Sequence, residues 1–157
     1  MKKLHYSREL LANHLTCFVF AQLGCSQKPW LSTLQLKNFS CADLNKIDNL
    51  WLQNSGGYFG FSVQKKIWLD TGNRLAIKPK DWNENDTLNY SHFPKAIGWY
   101  DDTKGNETWL SYEDFMQSIK DRGIFSFRGG LPLGLWRQTE SERSWFVFFS
   151  RAANCKI

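Results

Sequence analysis

The chain has 157 residues, a net charge of +5 and a pI near 9.1, with 42% hydrophobic and 22% charged residues. That length suits one domain with a single core and argues against two full domains, and the basic balance favours an acidic partner such as nucleic acid, anionic lipid or a carboxylate-bearing small molecule. The aromatic content is 16%, with eight Trp, and because large aromatics with a polar edge are rarely swallowed whole by a core, some rings are expected to line a surface or cavity.

The opening "MKKLHYSRELLANHLTCFVFAQLGCSQ" imitates a signal sequence, with a basic start and an apolar run over 15–23. Arg8, Glu9, Asn13 and His14 interrupt the approach, and the run is far short of a membrane span. Leu11, Leu15, Phe18 and Val19 recur at helical spacing instead, so a first amphipathic helix is predicted over about 7–24, closed by Gly24; cleavage before Cys25 is the minority alternative. Ser40-Cys-Ala-Asp43 opens a second helix with the stripe Leu44, Ile47, Trp51 and Leu52, and Asn54-Ser-Gly-Gly57 stops it. The next segment, "FGFSVQKKIW" over 59–68, reads as a third helix with apolar residues on two sides: Phe59, Val63 and Ile67 on one, Phe61 and Trp68 on the other.

Residues 74–92 are polar, contain Pro79 and keep no period, so they are predicted to be a surface loop. Ile97-Gly-Trp-Tyr100 and Thr108-Trp-Leu110 flank a glycine-containing turn, a pattern for at most a minor two-stranded ribbon. Ser111 caps a further helix, with Tyr112, Phe115, Met116 and Ile119 at i, i+3, i+4 and i+7 and Arg122-Gly123 at its end. The segment 123–136 interleaves glycines with Phe125, Phe127, Leu131, Leu133, Leu135 and Trp136, and the apolar run 145–149 suits a buried helix or a strand equally, with Arg151 just beyond.

No nucleotide-binding glycine loop, nucleophile elbow or zinc-protease motif is present. His5, His14 and His92 are scattered, Asp101 and Asp102 sit together in a charged turn, and neither set makes a catalytic or metal constellation. The cysteines at 17, 25, 41 and 155 form no C-x-x-C pair and are read as reduced thiols in a reducing compartment. Lys2, Lys3, Lys65, Lys66, Lys78 and Lys80 are dispersed rather than massed, so a nucleic-acid module is the weaker alternative. Apolar-ligand binding accounts for more of the unusual features together: two-sided aromatics at 59–68, a glycine-rich apolar segment at 123–136, and an arginine beside an aromatic run.

The stretch "NFSCADLNKIDNLWLQNSGGYFGFSVQKKIW", residues 38–68, closely resembles the signature of the genomes-uncoupled-four family, porphyrin-binding activators of magnesium chelatase in cyanobacteria, algae and plants. The resemblance continues through Gly98-Trp99, Trp109-Leu-Ser-Tyr112, Leu131-Pro132 and Phe149-Ser-Arg151. It implies an all-α, single cupped domain over 1–157, a compact form of the core domain without the extra N-terminal domain or helix of other members. Its apolar palm would hold protoporphyrin IX or Mg-protoporphyrin IX, with no catalysis and no protein ligand to a metal.

Carried over by motif, Phe59, Phe61, Val63 and Gln64 are palm positions, with Leu131 and Trp136 on a palm loop over 123–136 and Arg151 at the palm edge, placed to pair with a propionate. Asp43, Ile47, Asp48 and Trp51 would hold the fold. The resemblance further implies a magnesium chelatase subunit as partner, no nucleic acid, peripheral membrane association at most, a monomer, and a place in the cyanobacterial cytoplasm or plastid stroma; a bilin is the alternative ligand. Gly130 departs from the pattern, which has histidine before the Leu-Pro pair.

Overall fold

A computed structural model describes residues 32–101, 108–132 and 144–157. The first helix expected at 7–24, with His5, His14, Cys17 and Cys25, lies outside the described residues, as do Asp102 and Trp136. What is described is helical with one small ribbon: α1 (Thr33–Lys37), α2 (Cys41–Ser55), α3 (Phe61–Asp70), a 3-10 turn (Pro79–Asp81), α4 (Glu84–Ala96), β1 (Tyr100–Asp101), β2 (Thr108–Trp109), α5 (Tyr112–Arg122), a second 3-10 turn (Ile124–Phe127) and α6 (Ser144–Asn154). The all-α expectation holds, with the ribbon as its minor component.

The ends of α2 follow from local chemistry. Ser40 accepts from the Asp43 backbone N–H at its start, and Gly56 at φ 63° closes it in the left-handed conformation that glycine adopts without steric cost. Asp43, Ile47, Asp48 and Trp51 are placed as expected for a structural set. Asp43 lies in the first turn of α2, Ile47 and Trp51 are in the core, and the buried Asp48 carboxylate accepts the Ser62 N–H at 2.9 Å. That bond caps α3, whose own N-cap, Gly60, offers no side chain.

The two apolar sides of α3 have two partners. Phe61 meets Phe148 edge-on at 5.0 Å, and Trp68 meets Phe146 at 4.6 Å and Phe149 at 5.1 Å, so this side faces α6. On the other side Val63 and Ile67 lie against Gly129 so closely that a Cβ there would stand 2.6 Å from Ile67 Cδ1. Trp68 is the hub of the core, fully buried, in ring contact also with Phe93 and Trp145 and donating its indole N–H to the Arg74 carbonyl. Burying such a ring set supplies much of the fold's stabilisation, because each ring removes a large apolar area from water.

The loop expected at 74–92 is instead a 3-10 turn followed by α4. Asn83 and Asp86 form a reciprocal capping box at its start. The inward face of α4 carries Asp86, Tyr90 and Phe93 rather than a continuous aliphatic stripe, and Arg74 satisfies the Asp86 carboxylate with bonds of 2.8 and 2.6 Å. A helix that buries an ion-paired carboxylate has no clear apolar period to read. The apolar run 145–149 is the helix α6, and the ribbon pairs Tyr100 with Trp109 and Asp101 with Thr108.

The thiol expectation is corrected for two cysteines: Cys41 and Cys155 form a disulfide. It joins the first residue of α2 to the residue just after α6, 114 positions apart, an apposition that only the tertiary fold creates.

Candidate functional site

The sequence-predicted residues fall into two places. Phe59, Phe61, Gln64 and Leu131 are fully buried and Val63 nearly so, inside the core rather than on an open wall. Of these, Val63, Gln64 and Leu131 belong to a clasp that holds α3 against the 129–132 segment. Gln64 Nε2 donates to the carbonyls of Gly129 at 2.9 Å and Pro132 at 3.2 Å, Gly60 N–H donates to Leu131 O at 3.1 Å, and Gly129 N–H donates to Tyr58 O at 2.8 Å. Phe59 N–H donates to Ser55 Oγ at 2.9 Å, and the Phe59 ring packs edge-on against Trp51.

Gly130 belongs to the same clasp. A Cβ at this position would overlap the Phe115 ring tip and stand 3.0 Å from the carbonyls of both Ile97 and Phe127. The Trp99 indole N–H donates to Gly130 O at 2.7 Å. The histidine of the family pattern has no room in this packing.

Arg151 lies elsewhere, in a groove of about 500 Å³ between α1, the 76–82 segment and α6. The exposed side of α6 supplies Val147, Ser150, Arg151 and Asn154 at helical spacing, with Phe146 at its edge. Ile77 and Trp82 form the facing apolar wall, and the Trp82 ring meets Phe146 at 4.5 Å. Trp82 is fixed by its own indole N–H, which donates to Thr87 Oγ1 at 2.8 Å. Ser150 Oγ accepts the Ala76 N–H at 2.6 Å and so ties the 76–82 segment to α6.

The charged side chains that line this groove among the described residues have one sign. Lys37, Lys78 and Arg151 line it, and among the described residues no Asp or Glu does. Arg151 is anchored through Nε, which donates to Phe39 O at 2.9 Å, so the rest of the guanidinium fork is held in a defined position. An apolar wall with cations and no carboxylate suits a ligand that has a flat apolar body and an acidic edge. Among the described residues no three His, Cys, Asp or Glu side chains gather as a metal site.

Sequence reasoning found Arg151 but missed Lys37, Lys78, Trp82 and Phe146 as its neighbours. The available signal was Trp82, a large ring in a stretch rich in polar residues.

Comparison with known proteins fits this architecture. The profile of the GUN4-like family matches residues 7–147, and the chain belongs to that family, the genomes-uncoupled-four family that the signature resembles. A Synechocystis Ycf53-like protein is 36% identical over 48% of this chain and 33% of its own length. The Arabidopsis thaliana tetrapyrrole-binding protein, chloroplastic, is 40% identical over 41% of this chain and 27% of its own. An uncharacterized ycf53 protein of Porphyra purpurea is 48% identical over 45% of this chain and 23% of its own. The matches therefore cover a third or less of these relatives' lengths. The ligand-free structure of Arabidopsis thaliana GUN4 superposes with a TM-score of 0.59 at 20% identity, covering 92% of this chain and 89% of that one, which shows a shared fold.

Proposed function

We propose that this protein is a non-catalytic tetrapyrrole-binding protein whose ligand is protoporphyrin IX or Mg-protoporphyrin IX, and that it regulates chlorophyll biosynthesis by stimulating magnesium chelatase. The observation that carries the binding reading is the groove itself, an apolar wall of Ile77, Trp82, Phe146 and Val147 beside Lys37, Lys78 and Arg151, with no lining carboxylate among the described residues. A porphyrin has a broad apolar face for the wall and two propionates at one edge for the cations. Family membership supports the same ligand class, and one matched relative is named as tetrapyrrole-binding.

In this reading Arg151 pairs with a propionate. Phe59, Phe61, Val63, Gln64 and Leu131 serve binding from behind: Phe61 presses on Phe148 of α6, and the clasp fixes α3 against the 129–132 segment, so the face of α6 that lines the groove is held rigid. Trp136, which lies outside the described residues, is proposed as a ligand contact from the family signature alone. A chelatase subunit is the proposed protein partner. The cyanobacterial cytoplasm or plastid stroma is the proposed location, supported by relatives from a cyanobacterium and a chloroplast. No helix among the described residues is long and apolar enough to cross a membrane.

Titration with a panel of tetrapyrroles, read by quenching of Trp fluorescence, tests the proposal. Saturable one-to-one quenching by protoporphyrin IX with modest salt dependence is expected. Preference for an open-chain bilin would move the ligand assignment, and a steep loss of nucleic-acid affinity with salt in place of porphyrin binding would replace it.

A further inference from the structure

The groove and the disulfide meet at one point. Cys41 opens α2 directly after Phe39 and Ser40, and Cys155 follows α6 directly. One helical turn before Cys155, Arg151 donates to the carbonyl of Phe39, two residues before Cys41. Asn45 Nδ2 donates to both Cys41 O, at 2.8 Å, and Cys155 O, at 3.2 Å. Lys37 stands on α1, which packs on α6, while Arg151 and Asn154 stand on the end of α6 that the disulfide holds. The sulfur–sulfur bond thus ties the chain just after α1 to the end of α6, two of the three segments that border the groove.

We infer that Cys41–Cys155 is a thiol-exchange site at which a dithiol reductant loosens the groove and weakens ligand binding; the ligand part of this inference rests on the tetrapyrrole reading above. Cys41 is partly exposed and Cys155 is buried, so Cys41 Sγ is the sulfur open to attack. A thiolate of the reductant bonds to Cys41 Sγ, the Cys41–Cys155 bond breaks, and the Cys155 sulfur leaves as a thiolate that takes up a proton. The reductant's second thiolate then attacks the reductant sulfur of the mixed disulfide, closes the reductant's own disulfide and releases Cys41 as a thiolate. Two electrons pass from dithiol to cystine. The start of the 15-residue helix α2 favours that final thiolate, because unpaired N–H groups and the helix dipole stabilise negative charge there.

After reduction α1 and the end of α6 are held against each other by hydrogen bonds and packing alone. The guanidinium of Arg151 and the ammonium of Lys37 then lose their fixed separation, and a ligand must order them as it binds.

The test uses the full chain in oxidised form and after treatment with dithiothreitol. Non-reducing peptide mapping should recover one cross-linked pair containing Cys41 and Cys155. Protoporphyrin IX should bind about five-fold or more weakly to the reduced protein, a typical size for coupling between a switch and a site. A Cys17→Ser, Cys25→Ser variant should keep that response, whereas Cys41→Ser should bind as the reduced protein does and ignore the reductant. Amide exchange in α1 and α6 should quicken on reduction whether or not ligand is present.

Absence of the cross-linked peptide, or equal affinity and equal exchange in both forms, overturns the inference while leaving the tetrapyrrole reading intact. If neither form binds protoporphyrin IX, the tetrapyrrole reading fails, and the exchange rates alone decide whether the disulfide governs the groove.

Discussion

The side-chain amide of Gln64 donates to the carbonyl of Gly129 at 2.9 Å, joining positions 65 residues apart inside the core. Its second bond, to Pro132 O at 3.2 Å, makes one buried side chain responsible for two buried carbonyls. Gln64→Leu is expected to lower stability by about 1–3 kcal/mol, because both carbonyls lose their donor in a place water does not reach. Gln64→Glu should cost more at neutral pH and recover on acidification. A carboxylate facing two carbonyls has its folded-state pKa raised, so the folded form holds the proton more tightly and stability falls as pH rises from the ordinary carboxylate value toward the raised one. Urea unfolding of both variants at neutral and mildly acidic pH checks the pair.

Gly130 gives a steric prediction. Gly130→Ala should destabilise the protein by about 1–3 kcal/mol, since the added methyl meets the Phe115 ring and two carbonyls at 3.0 Å with no free volume to move into. Gly130→His, which restores the family pattern, should be worse than Ala in thermal melts. Phe115→Ala should partly rescue the Gly130→Ala variant, as expected for neighbours that share one space.

How much of this was legible follows from which interactions are local. Ser40 and Ser111 announce their helices because a cap and the N–H it accepts lie three residues apart. The pattern of Phe61, Val63, Ile67 and Trp68 signals a helix with apolar residues on two sides, yet it cannot say that one side meets α6 and the other the 129–132 segment. α4 is hidden because its inward face rests on Asp86 and its partner Arg74, which look like solvated charges in a polar stretch. The Cys41–Cys155 bond and the company of Lys37 and Lys78 around Arg151 are products of tertiary apposition, with no period or motif to carry them. The family signature carries the proposed ligand class, and the structure buries Phe59 and Phe61 of that signature in the core.

The Arg74–Asp86 pair makes stability depend on acid. Hydrogen bonds from Arg74, aided by one from the Asn83 backbone and opposed by burial, hold the Asp86 carboxyl below its ordinary value of 3.8. A group whose folded-state pKa is depressed contributes stability that is present above the unfolded value and is lost as pH falls through the folded one. Asp86→Asn should therefore melt below the parent at neutral pH, with the gap closing as pH drops below about 4. A gap that stays constant down to acid unfolding would mean that Asp86 acts only as the α4 cap.

The most direct measurement of the central claim is the affinity of protoporphyrin IX compared with its propionate dimethyl ester, on the parent, on Arg151→Ala, and on Lys37→Ala with Lys78→Ala. A charge-assisted hydrogen bond in a partly desolvated site is worth about 1.5–3 kcal/mol, so Arg151→Ala should weaken free-acid binding about ten-fold or more with the fold intact by circular dichroism. The lysine pair should weaken it by a smaller factor, in line with more exposed charges. The ester should bind the parent and Arg151→Ala almost equally. If Arg151→Ala binds the free acid as tightly as the parent does, and the ester binds as well as the free acid, the groove's cations are not what receives the ligand, and the assignment of this groove is wrong.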